Sequence, residues 1–239
     1  MPVRLVSKTA AEGRCSRAAL PRQKTLAALI DWSYELLTPR EKMLFHRTGI
    51  FAGGFSLEAP TSVCGGEGLD LDEAEILNLL SSLTDKALVV ADTSRDEERY
   101  RLLESTRAFA LEKLTSSGER ERLASGHAAF FRSRAETAHT LFFESKLQDR
   151  LAGEEPELDN YRAALDWTLT DGHDAPLGAA LGGFLERMWT TGGFMVEGRN
   201  WIGRALSGLD EAEHMREAAR LWRAFAKLHN AELKREHAE

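Results

Sequence analysis

The sequence predicts a mainly α-helical protein, in which a winged-helix domain with a small β-hairpin wing is followed by an α-solenoid region. Most of the chain repeats its apolar residues at three- and four-residue spacing, which is typical of amphipathic helices. The exception is residues 88–102, where two short runs of strand character flank a polar turn and predict a hairpin. Helices on both sides of this hairpin give the element order of a winged-helix unit.

Length and composition limit the classes of protein to consider. With 239 residues, of which 43% are hydrophobic, the chain can form one large or two small domains. A net charge of -7 argues against nucleic-acid binding by the whole surface. The sequence has no apolar run long enough to cross a bilayer and no signal peptide, so we expect a cytoplasmic protein. Cys15 and Cys64 lie far apart without neighbouring ligand residues, which predicts neither a disulfide nor a metal site.

Residues 1–22 predict an irregular basic arm. Within residues 1–24 a single acidic residue, Glu12, opposes six cationic ones, and these are Arg4, Lys8, Arg14, Arg17, Arg22 and Lys24. The arm is the best candidate route to nucleic acid, and a solvated tail is the simpler interpretation.

The winged-helix domain is predicted over residues 23–117. Its first helix contains Trp32, whose neighbours are apolar, so we expect this ring to be largely buried. Thr38 and Glu41 have the spacing of a capping box at the start of the second helix. Ser56 is expected to cap a short third helix.

A fourth helix is predicted to begin at Asp72 and to end near Lys86. The two strands of the wing are expected at residues 88–92 and 99–103. The last helix of the domain is expected at residues 104–116.

Residues 118–239 have helical periodicity throughout, interrupted by short turn signals. The breaks fall near residues 153–156, 171–176, 190–193 and 207–210. Helices of this length with short turns between them predict antiparallel pairs stacked into an α-solenoid.

Several blocks of the sequence resemble bacterial STAND-type ATPase regulators, which include the AfsR-like and LuxR-type transcriptional regulators. The blocks occur in the family's order, at residues 20–26, 30–37, 51–59, 79–90, 100–107 and 159–165. In that family a P-loop ATPase module precedes a winged-helix domain and tetratricopeptide-like (TPR-like) repeats. The resemblance implies that this chain holds the last two parts, with residues 118–239 as the TPR-like region. It further implies a non-catalytic, regulatory role with a protein partner, for which an ATPase module is one candidate.

The sequence predicts no catalytic, cofactor or metal site, and we expect no enzyme activity. The chain lacks a G-x-x-x-x-G-K-[ST] phosphate loop, so the strand ending at Asp92 is interpreted as a wing strand and not as a Walker B strand. In eukaryotic relatives of the family a histidine after the wing contacts ADP, and the corresponding Leu103 cannot donate a hydrogen bond. The carboxylates of Glu154, Glu155 and Glu157 suit a helix start better than acid–base chemistry.

DNA binding by the winged helix is the alternative function. A recognition helix usually presents Arg, Lys, Asn or Gln to the duplex. The corresponding segment, residues 72–87, has four acidic residues against Lys86, and Asn78 is its one amide side chain. This charge opposes approach to DNA, so the leading hypothesis is a protein-binding regulator.

A partner-binding site is predicted in the helical half, around the turn at residues 190–193. Trp189 and Phe194 flank this turn, and we expect their rings to be only partly covered. Arg187 and Arg199 lie nearby, and protein interfaces favour aromatic residues combined with arginine. The alternative interpretation is that the two rings clamp the turn between two helices.

Overall fold

The computed structural model describes residues 21–65, 71–94, 97–141, 153–170 and 172–236. These residues form eleven helices and one two-stranded sheet, which confirms the prediction of a mainly α protein. The predicted basic arm lies outside the described residues, except for its last two positions, which begin the first helix. Within the described part, the helices lack the length and apolar character needed to cross a membrane.

Two of the four helices before the sheet begin with a capping box, of which the one at Thr38 was predicted and the one at Asp72 was predicted only as a helix start. The Thr38 side chain accepts a hydrogen bond from the backbone of Glu41, and Asp72 does the same for Glu75. Ser56 is not a cap, because the short third helix begins after Leu57 and Ser56 is buried. The four helices are α1 (Pro21–Glu35), α2 (Pro39–Thr48), α3 (Glu58–Val63) and α4 (Glu73–Asp85).

Trp32 lies on the solvent side of α1, so its predicted burial is wrong. Ile30 is buried and Tyr34 is half-buried, whereas the Trp32 residue is 66% exposed. Residues four apart share a helix face, and a residue midway between them points to the opposite side. Leu29 and Leu36, three residues before and four after Trp32, share this exposed side, so apolar neighbours in the sequence do not indicate burial here.

The wing consists of β1 (Val90–Asp92) and β2 (Arg99–Arg101), which are antiparallel with Ala91 opposite Tyr100. Both strands are shorter than predicted. Phe55 is joined to Tyr100 by two backbone hydrogen bonds of 2.8 Å, so the glycine-containing turn before α3 is attached to the wing. Helix α5 (Glu104–Ser116) follows the wing with the predicted bounds.

The second half of the described chain contains six helices. The predicted breaks near 171–176, 190–193 and 207–210 are confirmed, and a further break occurs at Leu185. A π-helical turn, Asp166–Thr170, follows the second of these helices. The six are α6 (Arg120–Leu141), α7 (Leu158–Leu165), α8 (Ala175–Phe184), α9 (Glu186–Thr191), α10 (Met195–Gly208) and α11 (Met215–Glu236).

These helices stack in two rows. Helix α8 packs between α6 and α11, and we call these three helices the front row. Helix α7 packs on α6, and α10 packs on both α8 and α11, so α7 and α10 form the back row. The stacking is compatible with a solenoid, and its description as TPR-like stays a prediction.

The two halves are in direct contact across the predicted boundary at residue 117. Helix α3 packs on α6, and the buried guanidinium of Arg47 in α2 forms an ion pair of 2.5 Å with Glu119. The same guanidinium donates to the carbonyl oxygen of Cys64 at 2.8 Å. The division into domains stays a prediction.

Candidate functional site

The outward face of α4 carries no cation. Its exposed side chains are acidic, apolar or uncharged polar, and they are Glu73, Ala74, Leu77, Asn78, Ser81 and Asp85. Lys86, at the end of the helix, is held by Glu41 of α2 with an Nζ–Oε1 distance of 2.5 Å. This surface therefore offers hydrogen-bonding groups for a duplex but no positive charge for its phosphates.

The described part of the wing has little positive charge at its surface. Arg99 is buried, so among the described arginines of the wing only Arg101 is exposed. The exposed side chains around it include Glu97 and Glu98. The wing thus differs from one that contacts a DNA backbone through arginine or lysine.

Arg99 instead joins the wing to the helical half. Its Nη1 lies 2.7 Å from Oε1 of Glu157, which follows directly on Pro156 at the start of α7, and both side chains are buried. Its Nη2 donates to the carbonyl oxygen of Gly54 at 3.0 Å. A buried ion pair of this kind is costly to break, because the remaining partner would be left as an unpaired buried charge.

Asn160 completes this contact. Its Oδ1 accepts hydrogen bonds from the backbone amides of Ala52 at 3.0 Å and Gly53 at 3.3 Å. Its Nδ2 donates to the carbonyl oxygen of Gly54 at 2.9 Å and to Glu157 Oε2 at 3.1 Å. The amide thereby uses two acceptor and two donor positions, which is its full capacity. We call Arg99, Glu157, Asn160 and the turn at residues 52–54 the hub.

Arg134 of α6 extends the hub. It lies 3.3 Å from Glu154 and 3.8 Å from Glu157, and the Tyr161 hydroxyl donates to Glu154. Burial and the nearby Glu154 carboxylate raise the pKa of Tyr161 well above its usual range. Two of the three glutamates at this helix start are therefore held in ion pairs with arginines, an arrangement that suits structural support.

Trp189 is fully buried, which corrects the expectation that its ring is only partly covered. The break at Leu185 starts a new helix, α9, and the Trp189 ring packs against Gly198 of α10. A β-carbon added at Gly198 would lie 2.5 Å from Cγ of Trp189. For Trp189, the interpretation as a clamp between two helices is therefore the correct one.

The other three residues of the predicted partner site lie in different environments. Phe194 is half-buried, with the Arg162 guanidinium 5.6 Å from its ring centre, and it lines a cleft of about 170 Å³. Arg199 forms an ion pair of 2.7 Å with Glu232 of α11. Arg187 lies on α9, which packs against α11 beside the front row. Partner binding at these residues stays a prediction.

The front row carries a group of cations that sequence reasoning missed. The ring of Phe184 in α8 has the guanidinium of Arg220 at 4.1 Å and that of Arg132 at 5.7 Å from its centre. We call the following six residues the front-row basic surface: Arg132, Arg187, Arg216, Arg220, Arg223 and Lys227. A helical projection of α11 alone would have revealed the four cations at its 4-3-4 spacing, but not those of the other helices.

The buried carboxylate of Glu186 lies at one end of this surface and binds two of its cations. Glu186 accepts from Lys227 Nζ at 2.9 and 3.1 Å, and Arg223 Nε lies 4.0 Å away. Burial lowers the pKa of His139 in α6, with Arg187 acting in the same direction. His139 is therefore uncharged at neutral pH, and the charge of this surface comes from arginine and lysine.

The described residues give little support for a metal site or for a reactive thiol. They contain no group of three or more His, Cys, Asp or Glu side chains that could hold a metal ion. Burial raises the pKa of Cys64 to about 12, so its thiol is protonated and unreactive at neutral pH.

Comparison with known proteins identifies relatives in mycobacteria. Over 190 residues the chain is 40% identical to "Putative HTH-type transcriptional regulator Mb0914c" of Mycobacterium bovis and to "Putative HTH-type transcriptional regulator Rv0890c" of Mycobacterium tuberculosis. Over 107 residues it is 43% identical to "Uncharacterized protein Rv0894" of Mycobacterium tuberculosis, which covers 45% of this chain and 27% of that protein.

No family model matches the chain. No solved structure matches it either. The match to the two regulators covers 80% of this chain and 21% of each of them, so the chain spans about a fifth of their length. The chain is thus similar to one part of longer proteins that are named as HTH-type transcriptional regulators.

Proposed function

We propose that this chain is a regulatory, protein-binding part of a larger transcriptional regulator and has no catalytic role of its own. The names of the mycobacterial relatives support transcriptional regulation. The finer proposal follows the resemblance to STAND-type regulators: a cytoplasmic winged-helix unit with TPR-like helices, and an ATPase module as one candidate partner.

The observation that carries this proposal is the hub. Its buried hydrogen bonds and ion pair connect the wing and the turn at residues 52–54 to α7 of the helical stack. A unit that passes a change at the helices to the rest of a regulator needs this kind of rigid connection.

Direct DNA binding through α4 is the second candidate function. Two observations favour it: the HTH in the names of the relatives, and the exposed Asn78 and Ser81 on the outward face of α4. Against it stand the acidic ends of that face, Glu73 and Asp85, and the buried Arg99 of the wing.

Fluorescence anisotropy with labelled duplex DNA separates the two candidates. We expect no binding tighter than roughly 10⁻⁶ M at physiological salt, which is the limit of ordinary non-specific affinity. Asn78→Ala should leave this weak binding unchanged. Nanomolar binding that falls steeply with salt and is lost in Asn78→Ala would establish the DNA-binding function and overturn the proposal.

A further inference from the structure

The front-row basic surface is positive in a chain that is negative overall. Of its six cations, Arg132 is paired with Glu136, and Lys227 is paired with Glu186, in a chain whose net charge is -7. Glu186 is buried and Glu136 is paired with Arg132 at 3.1 Å. The outward charge of this surface is therefore set by the arginines and Lys227.

Four of the cations form one line along α11. Arg216, Arg220, Arg223 and Lys227 follow each other at spacings of four, three and four residues, which places them on one side of the helix. At a rise of about 1.5 Å per residue the line is roughly 16 Å long. Arg132 of α6 meets this line across the Phe184 ring.

Packing and the Glu186 carboxylate hold Arg220, Arg223 and Lys227 in place while leaving them accessible. The stem of Arg220 crosses Gly183, where an added β-carbon would lie 2.7 Å from its Cδ, and its guanidinium rests on Phe184. Arg223 and Lys227 stay 55% and 47% exposed while they face Glu186. Among the described residues no carboxylate forms an ion pair with Arg216 or Arg220. Cations fixed before binding lose less entropy when an anion arrives.

Building on the proposed protein-binding function, we propose that the front-row basic surface binds an extended acidic segment of a protein partner. Carboxylates accept bidentate hydrogen bonds from guanidinium groups, so arginine suits such a segment. An extended chain advances about 3.3 Å per residue, so about five residues cover the line on α11. A nucleic-acid duplex is a much larger polyanion and would also meet the negative potential of the rest of the chain.

The test titrates the 239-residue chain with a labelled peptide of about ten residues in which Glu alternates with Ala. We expect micromolar binding at low salt that weakens as salt screens the charges, and no binding of the matching peptide with Gln in place of Glu. Arg216→Glu combined with Arg223→Glu should weaken binding at least tenfold. Both side chains are exposed, so the fold should survive, and circular dichroism checks this.

The matched control reverses two exposed arginines elsewhere, Arg40 and Arg101, and should change the affinity less than twofold. Arg220→Gln gives a second variant without charge reversal and should weaken binding several-fold. Absence of peptide binding to the folded chain, or an equal loss in the control pair, overturns the inference.

Two further outcomes separate this inference from the proposed function. DNA that competes for the same arginines at lower concentration than the peptide overturns the acidic segment as the ligand. If neither the peptide nor DNA binds, the acidic segment is excluded as the ligand, but the proposed protein-binding function is not contradicted. DNA binding that depends on Asn78 contradicts the function itself.

Discussion

The contact between Trp189 and Gly198 shows how one small residue determines the position of one large ring. The ring is fully buried although it belongs to a helix of six residues, because α10 presents a glycine at the point of contact. The Trp189 Nε1 atom is buried without a hydrogen-bond partner among the described residues. Packing against α10 therefore holds this side chain, and a hydrogen bond does not.

Two glycines of α10 should respond oppositely to the same substitution. Gly198→Ala should lower the free energy of unfolding by about 1–3 kcal/mol, since the added methyl group would overlap the Trp189 ring. Gly203→Ala is the control, because nothing lies within 4 Å of an added β-carbon there. It should raise stability by about 0.5–1 kcal/mol through helix propensity. Chemical denaturation measures both, and a stable Gly198→Ala protein would contradict the packing described.

Single-residue burial was only partly predictable from the sequence. Trp32 has several apolar residues near it in the sequence and is exposed, whereas Trp189 is followed by Thr190 and Thr191 and is buried. For Trp32 the helical period alone, applied strictly, would have indicated the solvent side. For Trp189 the deciding facts are the break at Leu185 and the glycine of another helix, and no local pattern contains them.

At the scale of secondary-structure elements, the hub joins β2, the turn at residues 52–54 and α7. Its interactions are not interchangeable, because Asn160 is the one side chain in the hub that satisfies two backbone amides and one carbonyl group at once. Arg99 and Glu157 form the ion pair, and the hydrogen bonds of Asn160 fix the position of the turn relative to α7. The wing is therefore positioned by a helix that begins far along the chain.

Asn160→Ala should destabilise the protein by about 1–3 kcal/mol, because it leaves buried polar groups without partners. Hydrogen exchange should accelerate at the amides of Ala52 and Tyr100, since the turn and the wing lose their common support. Asp159→Ala is the control, because that side chain is 63% exposed and pairs only with Arg162 at the surface. It should change stability by less than about 0.5 kcal/mol. Unchanged exchange in Asn160→Ala would show that the hub does not support the wing.

Element boundaries were predictable where a local signal fixes them. The capping box at Thr38 predicted the start of α2, Asp72 was expected at the start of α4 and caps it, and α5 has the bounds expected near residues 104 and 116. The hub was not predictable. The blocks at residues 51–59 and 159–165 both resemble the STAND-type regulators, but a single sequence gives no sign that Asn160 contacts the turn at residues 52–54. The front-row basic surface was missed for the same reason, because three separate helices contribute to it.

At the scale of the whole molecule, the buried histidines couple stability to pH. His127 lies between Phe51 and Phe131, with ring centres 5.5 and 4.6 Å away, and burial lowers its pKa to about 4. The unfolded chain takes up a proton near pH 6.5, while the folded chain does not until about pH 4. The contribution of His127 to the free energy of unfolding is therefore fully present above pH 6.5. It decreases as the pH falls from 6.5 to about 4.

The fall due to His127 should reach roughly 3 kcal/mol near pH 4. His127→Gln should flatten the dependence of stability on pH between about 4 and 6.5, whatever its effect at neutral pH. Burial lowers the pKa of His46 to about 4 as well, so part of the slope should remain. Denaturation at a series of pH values measures the slope. The exposed His229→Gln is the control, and an equal change of slope in both variants would contradict the assignment to His127.

The length of chain enclosed by the hub has a consequence for biosynthesis. The amide of Ala52 and the side chain that accepts its hydrogen bond are 108 residues apart. A ribosome adding about 5–20 residues per second needs roughly 5–20 s to cover that distance. During this interval the turn is already synthesised and the wing follows it, but Glu157 and Asn160 are made only at the end. The first half of the protein therefore spends this interval without the hydrogen bonds and the ion pair of the hub.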